Sequence, residues 1–227
     1  MNLYLLVEGE KTEPKLYQSW LKYLLPKYSQ VFHYKDVYKH NFYLFKGGGI
    51  PHIYKHTVNA IKDINQVNKY DYLIVCIDSE ELTSKQRITE LKKYLEEKDT
   101  QLNENCELII IIQTVCIETW FLGNQKVFKR NPTGDKFILY SKFYNIEKND
   151  PELMPCYFDF ETKAQFHEAY LREMFKEHNI RYKKSQAKDV LQKYYLEELE
   201  KRILKTPNHL KSLQKFLDFC KDLKNKN

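Results

Sequence analysis

A chain of 227 residues, with 42% hydrophobic, 30% charged and 15% aromatic residues, has enough apolar side chains to bury a sizeable core. This composition excludes a disordered protein and suits one α/β domain, with or without a small appended lobe. Lys and Arg number 37 against 31 Asp and Glu, which gives a formal net charge of +6. Such a mildly basic balance suits a polyanionic partner without requiring one.

The first residues (MNLYLLVEGE) lack the basic region and the long apolar stretch of a signal peptide. No run approaches the roughly 18 apolar residues that a transmembrane helix needs. The five cysteines form no CxxC pair, are odd in number, and include two in apolar runs, Cys76 and Cys116. Buried free thiols in a reducing compartment explain this pattern most simply. The expectation is therefore a cytoplasmic protein with no membrane contact.

The first part of the chain has the pattern of a strand, a polar loop and a helix. Leu3–Val7 is a short apolar run that stops at Glu8, which is typical of a buried parallel strand. Pro14 then suits the first turn of a helix. Residues 31–45 are rich in Tyr, Phe and Val and are predicted to hold a second strand with an irregular approach, which the three glycines at 47–49 end.

Two further apolar runs, residues 71–77 and 107–115, predict buried strands, and helical periodicity separates the predicted strands from one another. Strands that alternate with helices favour a mostly parallel sheet with right-handed crossovers. From Lys163 onward only helical patterning remains. The sequence thus predicts an α/β, Rossmann-like sheet flanked by helices in residues 1–125. Residues 126–227 are predicted to form a mixed linker and a helical C-terminal lobe packed on that sheet.

Acidic residues follow three of the predicted strands: Glu8 the first, Asp78 and Glu80 the third, and Glu118 the fourth. Functional groups collect at the carboxyl ends of parallel strands, and carboxylates brought together there need a cation. Ligands that are all oxygen favour magnesium or manganese over zinc. Asp78 and Glu80 are two residues apart, so an extended backbone would direct both to one side. The alternative is that these acids are ordinary loop residues, or that Asp78 or Ser79 caps the next helix.

The segment 7–13 (VEGEKTE), followed by a helix with aromatic residues, resembles the first motif of TOPRIM domains. It is more narrowly similar to the OLD-like and RloB-like TOPRIM proteins of bacterial defence systems. Their second motif is an apolar strand that ends in Asp-x-Asp, and residues 78–80 (DSE) match it with Glu in place of the second Asp. Residues 117–122 (IETWFL) resemble an acidic and aromatic segment of the RloB-like branch. The resemblance covers roughly residues 1–125.

This resemblance implies a nuclease that cleaves DNA or RNA phosphodiester bonds with Mg²⁺ or Mn²⁺, in defence against phage. It implies metal ligands among the acids Glu8, Asp78, Glu80 and Glu118. Glu8 would be a further ligand or a general acid or base, beside Asp78 and Glu80 in catalysis. A basic residue near the metal, Lys183 in the first instance, with Lys184 and Lys11 as alternatives, would stabilise the leaving group.

A second interpretation stays open, because Glu80 departs from the Asp of the motif. The chain would then be a catalytically weak TOPRIM-like scaffold that binds nucleic acid or a partner protein of a defence complex, such as an ATPase. A homo-oligomer is compatible with both interpretations. The glycines at 47–49 suit either a phosphate-binding loop or a flexible tip. Residues 181–184 (RYKK), in which Tyr182 is interleaved with basic residues, suit either a contact that tracks a nucleic-acid strand or a solvated face.

Overall fold

The structure, a computed structural model, describes residues 1–226 and confirms the predicted α/β class. Its strands form one parallel sheet in the order β2-β3-β1-β4-β5. The strands are β1 (Leu3–Val7), β2 (Ser29–Val31), β3 (Asn41–Lys46), β4 (Tyr72–Asp78) and β5 (Glu107–Gln113). The order differs from the order in sequence, and β1 lies in the middle of the sheet.

Eight α-helices lie within residues 1–226. They are α1 (Thr12–Leu24), α2 (His52–Val67), α3 (Ser84–Glu97), α4 (Ile117–Leu122), α5 (Asp135–Phe143), α6 (Lys163–Lys176), α7 (Lys193–Lys205) and α8 (Lys211–Asn225). Their ends follow local chemistry: Thr83 and Gln86 form a reciprocal capping box at the start of α3, and Asn68 ends α2 with a left-handed backbone. The predicted helical character after Lys163 is confirmed by α6, α7 and α8.

The chain divides into two compact units that alternate along the sequence. The first contains Met1–Ile77, Thr83–Ile112 and the chain from Phe216 onward, and the second contains Asp78–Leu82 and Gln113–Lys215. The first unit therefore holds β1 to β3 and nearly all of β4 and β5. The domains predicted at 1–125 and 126–227 stay a prediction, because compactness does not test whether a segment folds on its own.

The centre of the sheet lies in the first unit, where β1 pairs with β3 on one side and with β4 on the other. All five residues of β1 are buried, and β4 is buried up to Ile77. Buried parallel strands need unbroken apolar runs, so the strands predicted at residues 3–7 and 71–77 are confirmed.

The prediction that residues 31–45 hold a second strand with an irregular approach is confirmed by β3. The structure has two short strands there, β2 and β3, joined by a loop at residues 32–40 that includes a 3₁₀ turn at Tyr34–Asp36. Asn41 ends this loop, since its side-chain oxygen accepts the N–H groups of Tyr38 and Lys39 at 2.8 and 3.2 Å. These side-chain hydrogen bonds replace strand pairing and turn the chain.

The five cysteines are free thiols, as predicted: Cys76, Cys106, Cys116 and Cys220 are buried and Cys156 is partly buried. Across residues 1–226, no helix combines the length and the apolar character that crossing a bilayer would require.

Gly47 lets the chain pass close to β1. Its N–H donates to the Val7 carbonyl at 2.6 Å, and an added Cβ would lie 2.9 Å from that oxygen and 2.9 Å from Ile53 Cγ1. We expect Gly47→Ala to lower the free energy of unfolding by about 1–3 kcal/mol, because neither obstacle is a flexible chain end. Urea denaturation measures this. Lys46→Ala, at the exposed residue just before Gly47, is the control and should change the free energy of unfolding by less than about 0.5 kcal/mol. Equal losses in the two variants would contradict the explanation.

Candidate active site

In the first unit, Glu8 follows β1 directly and is 8% exposed. Its N–H donates to the Cys76 carbonyl at 3.1 Å, and its own carbonyl accepts the Gly49 N–H at 3.0 Å. The end of β1 is therefore fixed by β4 on one side and by the glycine loop at 47–49 on the other. The Gly49 N–H is occupied by this contact, which gives the loop a structural role beside Glu8.

A second carboxylate, Glu13, lies against the backbone that follows Glu8. Glu13 stands in the first turn of α1 and is 4% exposed. A Cβ at Gly9 would overlap the Glu13 carboxylate, so glycine at this position leaves the space that the carboxylate occupies. We assigned no role to Glu13 from the sequence, although it is part of the motif at 7–13. The signal that could have found it is the same one that marks Glu8, an acid in a motif at a strand end.

In the second unit, Asp78 and Glu80 start a tight connection. The Ser79 N–H donates to the Gln113 carbonyl and the Glu80 N–H donates to the Val115 carbonyl, both at 2.9 Å. Glu80 has a φ of 52°, which is left-handed, so the extended backbone assumed for residues 78–80 ends at Asp78. Strand alternation therefore does not direct the Asp78 and Glu80 side chains to one side. Asp78 is partly buried and Glu80 is exposed.

Glu118 is the most buried of the predicted site residues, at 1% exposure. It stands in the first turn of α4. Its Oε1 accepts the hydroxyl of Tyr182 at 3.0 Å and lies 3.5 Å from Lys184 Nζ. Lys184 Nζ also lies 3.1 Å from Oε2 of Glu168 on α6. A buried carboxylate is tolerated only with such compensation, so the chain itself balances the charge of Glu118.

Lys184, rather than its neighbour Lys183, forms the ion pair with Glu118. Lys184 is 47% exposed along its side chain. Its partial burial lowers its pKa, but Glu118 and Glu168 raise the pKa by more, and the net value lies above the ordinary range. Lys183 forms no ion pair with any residue of the described chain and is partly exposed. A catalytic role for Lys183 stays a prediction.

Tyr182 does not present its ring for base stacking. It is 5% exposed and stacks on Phe175 with ring centroids 5.8 Å apart, while its hydroxyl donates to Glu118. A ring placed in this way cannot stack on the bases of a bound strand. The tyrosine instead holds Glu118 in place.

Beside Glu118 lies a buried polar network that the sequence did not reveal. His167 is 0% exposed; its Nδ1 lies 2.8 Å from Thr119 Oγ1 and its Nε2 lies 3.2 Å from the Met154 carbonyl. A carbonyl only accepts, so Nε2 carries the proton and the Thr119 hydroxyl donates to Nδ1. The ring is neutral, and burial lowers its pKa to about 4. This network ties α4 to α6, the helices that supply Glu118 and Glu168.

Two of the predicted acids, Asp78 and Glu118, act on the thiol of Cys116. Burial raises the pKa of Cys116 well above its ordinary value, and the negative charges of Glu118 and Asp78 raise it further. The thiol therefore stays protonated and is a poor nucleophile. The charges of Asp78 and Glu118 therefore both act on this thiol within the second unit.

The carboxylate oxygens of these residues are the donors that Mg²⁺ and Mn²⁺ prefer. Nevertheless, residues 1–226 contain no group of three or more His, Cys, Asp and Glu side chains that could hold a metal ion. Glu118, moreover, is engaged with Lys184 and Tyr182. In this arrangement the residues do not fit a complete metal site.

The chain was compared with models of protein families, with curated proteins and with solved structures, and none of them matches it.

The pairing of Glu118 with Lys184 predicts a difference between two adjacent lysines. Lys184→Met removes the cation beside the buried Glu118 carboxylate and leaves it the hydroxyl of Tyr182, so we expect it to lower the free energy of unfolding by about 1–2 kcal/mol. That is less than the about 3–5 kcal/mol of a fully buried pair, because solvent screens the half-exposed ammonium. The control Lys183→Met should change stability by less than about 0.5 kcal/mol. Adding Glu118→Gln to Lys184→Met should recover part of the loss in urea denaturation. Equal effects of the two lysine variants would contradict this pairing.

The neutral His167 predicts a loss of stability in mild acid. Its pKa is depressed in the folded chain to about 4, below its ordinary value of 6.5, so the unfolded chain binds the proton first. The stability that depends on a neutral ring is complete above pH about 6.5 and falls by up to about 3 kcal/mol as the pH falls toward 4.

Urea denaturation at about pH 7.5 and about pH 5 tests this expectation. His167→Gln cannot titrate and should reduce the difference in unfolding free energy between the two pH values. His52→Gln, which removes an exposed histidine at the start of α2, should leave the difference as in the wild type. An unchanged difference in His167→Gln would show that other groups cause the pH dependence.

Proposed function

We propose that the chain is a TOPRIM-like nuclease that hydrolyses phosphodiester bonds of DNA or RNA with Mg²⁺ or Mn²⁺. The observation that carries the proposal is the topology at the motif residues. Strands β1 and β4 are parallel neighbours, Glu8 follows β1 and Asp78 ends β4. Each of these motif acids thus comes at the carboxyl end of its own parallel strand, as the resemblance requires, and ligands of open α/β sheets bind at such strand ends.

The requirement for a metal ion rests on the resemblance and on the donor chemistry of Glu8, Asp78 and Glu80, which would be its ligands. When bound, the ion would supply charge neutralisation and an activated water. Within residues 1–226 no group of three suitable side chains is preformed.

In this proposed nuclease Lys184, rather than Lys183, is the basic residue that stabilises the leaving group. Glu118 and Glu168 restrain its ammonium group, and its raised pKa keeps it charged at neutral pH. Nearly half of its side chain is exposed, so a phosphate oxygen of a substrate can reach it. A cation that is fixed before the substrate arrives stabilises developing negative charge without reorganisation.

A specific observation favours the second candidate, a scaffold that binds nucleic acid or a partner protein with little catalysis. Glu118 has its charge balanced by Lys184 and its oxygen bonded by Tyr182. The complete set of metal ligands that a nuclease needs is not assembled within the described chain. On this proposal the pair at Glu118 serves stability rather than chemistry.

The biological setting belongs to the proposal and rests on the resemblance alone. It comprises defence against phage, a cytoplasmic location and an ATPase or similar partner of a defence complex. The cleavage assay below distinguishes DNA from RNA as the substrate.

The two candidates make different predictions in a cleavage assay. Plasmid, single-stranded DNA and total RNA are incubated with the wild type in Mg²⁺, in Mn²⁺ and in EDTA. A nuclease should cleave at least one substrate with metal and none in EDTA. Asp78→Asn and Glu8→Gln should each reduce the rate on the order of a hundredfold or more, since each removes a ligand charge. Glu96→Gln, on the exposed face of α3, is the matched control and should cleave like the wild type.

Absence of cleavage by the wild type under every metal would overturn the nuclease and leave the scaffold. Equal rates for the wild type, Asp78→Asn and Glu8→Gln would assign any cleavage to a contaminant. Circular dichroism of each variant separates loss of chemistry from loss of folding.

A further inference from the structure

The loop at residues 32–40, between β2 and β3 in the first unit, exposes two large aromatic rings. Phe32 is 83% exposed and Tyr38 is 86% exposed. Single exposed apolar residues are ordinary on a protein surface. Here two rings that are almost fully exposed stand on one short loop, next to the edge strand β2. This pair of exposed rings requires an explanation.

The backbone that carries these rings is held in place. The side chain of Asn41 accepts the N–H groups of Tyr38 and Lys39, and the Tyr70 hydroxyl donates to the Tyr34 carbonyl at 2.7 Å. Val37, in the middle of the loop, is 2% exposed and anchors it in the core. The rings therefore stand on an ordered surface, so a ligand that binds them pays little to order the loop.

The segment of the chain that carries the two rings is basic. Residues 27–46 contain four lysines, Lys27, Lys35, Lys39 and Lys46, against the single acid Asp36. All four lysines are exposed. The pKa of His40 in the same loop is lowered, by partial burial first and then by cations that include Lys39 and Lys27. The segment itself therefore carries a net positive charge.

We propose that this basic aromatic surface, residues 27–46, binds single-stranded nucleic acid. Phe32 and Tyr38 stack on unpaired bases, and Lys35 and Lys39 contact the phosphates on either side. Exposed rings among lysines are the combination that binds single strands without sequence preference, since every base has a π-face and every nucleotide carries a charge. A duplex keeps its bases stacked inside and cannot offer them to the rings. The surface acts in binding and its role does not depend on cleavage.

Binding is measured by fluorescence polarisation of labelled oligo(U), oligo(dT) and a duplex of the same length, all in EDTA so that cleavage plays no part. The wild type should bind one or both single strands more tightly than the duplex. Phe32→Ala/Tyr38→Ala should weaken binding by at least about tenfold, because stacking contributes substantially for each base. Lys35→Gln/Lys39→Gln should weaken binding and also flatten its dependence on salt concentration.

The matched control is Leu153→Ala/Phe158→Ala, which removes two side chains of similar exposure, 74% and 81%, from the second unit. It should bind like the wild type. The proposal is overturned if the wild type does not bind single strands, or if it prefers the duplex. It is also overturned if the aromatic variant keeps wild-type affinity. A change in the oligomeric state of that variant, or in its binding to anionic vesicles, would then assign the surface to another partner. A failed cleavage assay with normal binding in EDTA would overturn the nuclease and leave this surface intact.

Discussion

The pairing of β1 on both of its edges is the interaction on which the first unit depends. A strand with all five residues buried has no contact with water, so its backbone groups must bond to β3 and β4. The same constraint continues one residue beyond the strand. Gly47, Gly49 and Cys76 complete the bonding of Val7 and Glu8, and this determines where the first acid of the motif leaves the sheet.

In the second unit the corresponding constraint is the compensation of buried charge. Glu118 is placed among apolar residues of α4 and persists there because Tyr182 and Lys184 bond to it from a distant part of the sequence. Arg202 follows the same rule: it is 1% exposed and donates to the carbonyls of Gly123 and Asn149 at 3.0 and 2.7 Å. Each buried charge thus joins segments that lie far apart along the chain.

The sequence predicts the features that depend on a local pattern. Residues 3–7 and 71–77 are recognisable as strands because burial on both faces demands an unbroken apolar run. The segment at 31–45 is not predictable in the same way, since its aromatic residues suit a strand, a loop or an exposed surface equally well. A single residue, Asn41, decides where the loop ends and β3 begins.

The candidate site is less predictable because its contacts join distant residues. Nothing in the local sequence separates Lys183 from Lys184, and the choice follows from the path of the chain after α6. The residues of the motif at 78–80 do not predict the left-handed backbone of Glu80, because their pattern is that of an extended segment. His167 lies within an apolar helical stripe, and its bonds to Thr119 and Met154 appear only once α4 and α6 are packed.

The two edges of the sheet differ in a way that bears on the behaviour of the unfolded chain. At one edge β2 has only three residues, whereas at the other β5 has seven and includes four consecutive isoleucines, residues 109–112. Short apolar β-branched segments with little charge are the ones that assemble into cross-β aggregates when they are exposed. We therefore expect that aggregation of this protein during synthesis or refolding begins at β5 rather than at β2.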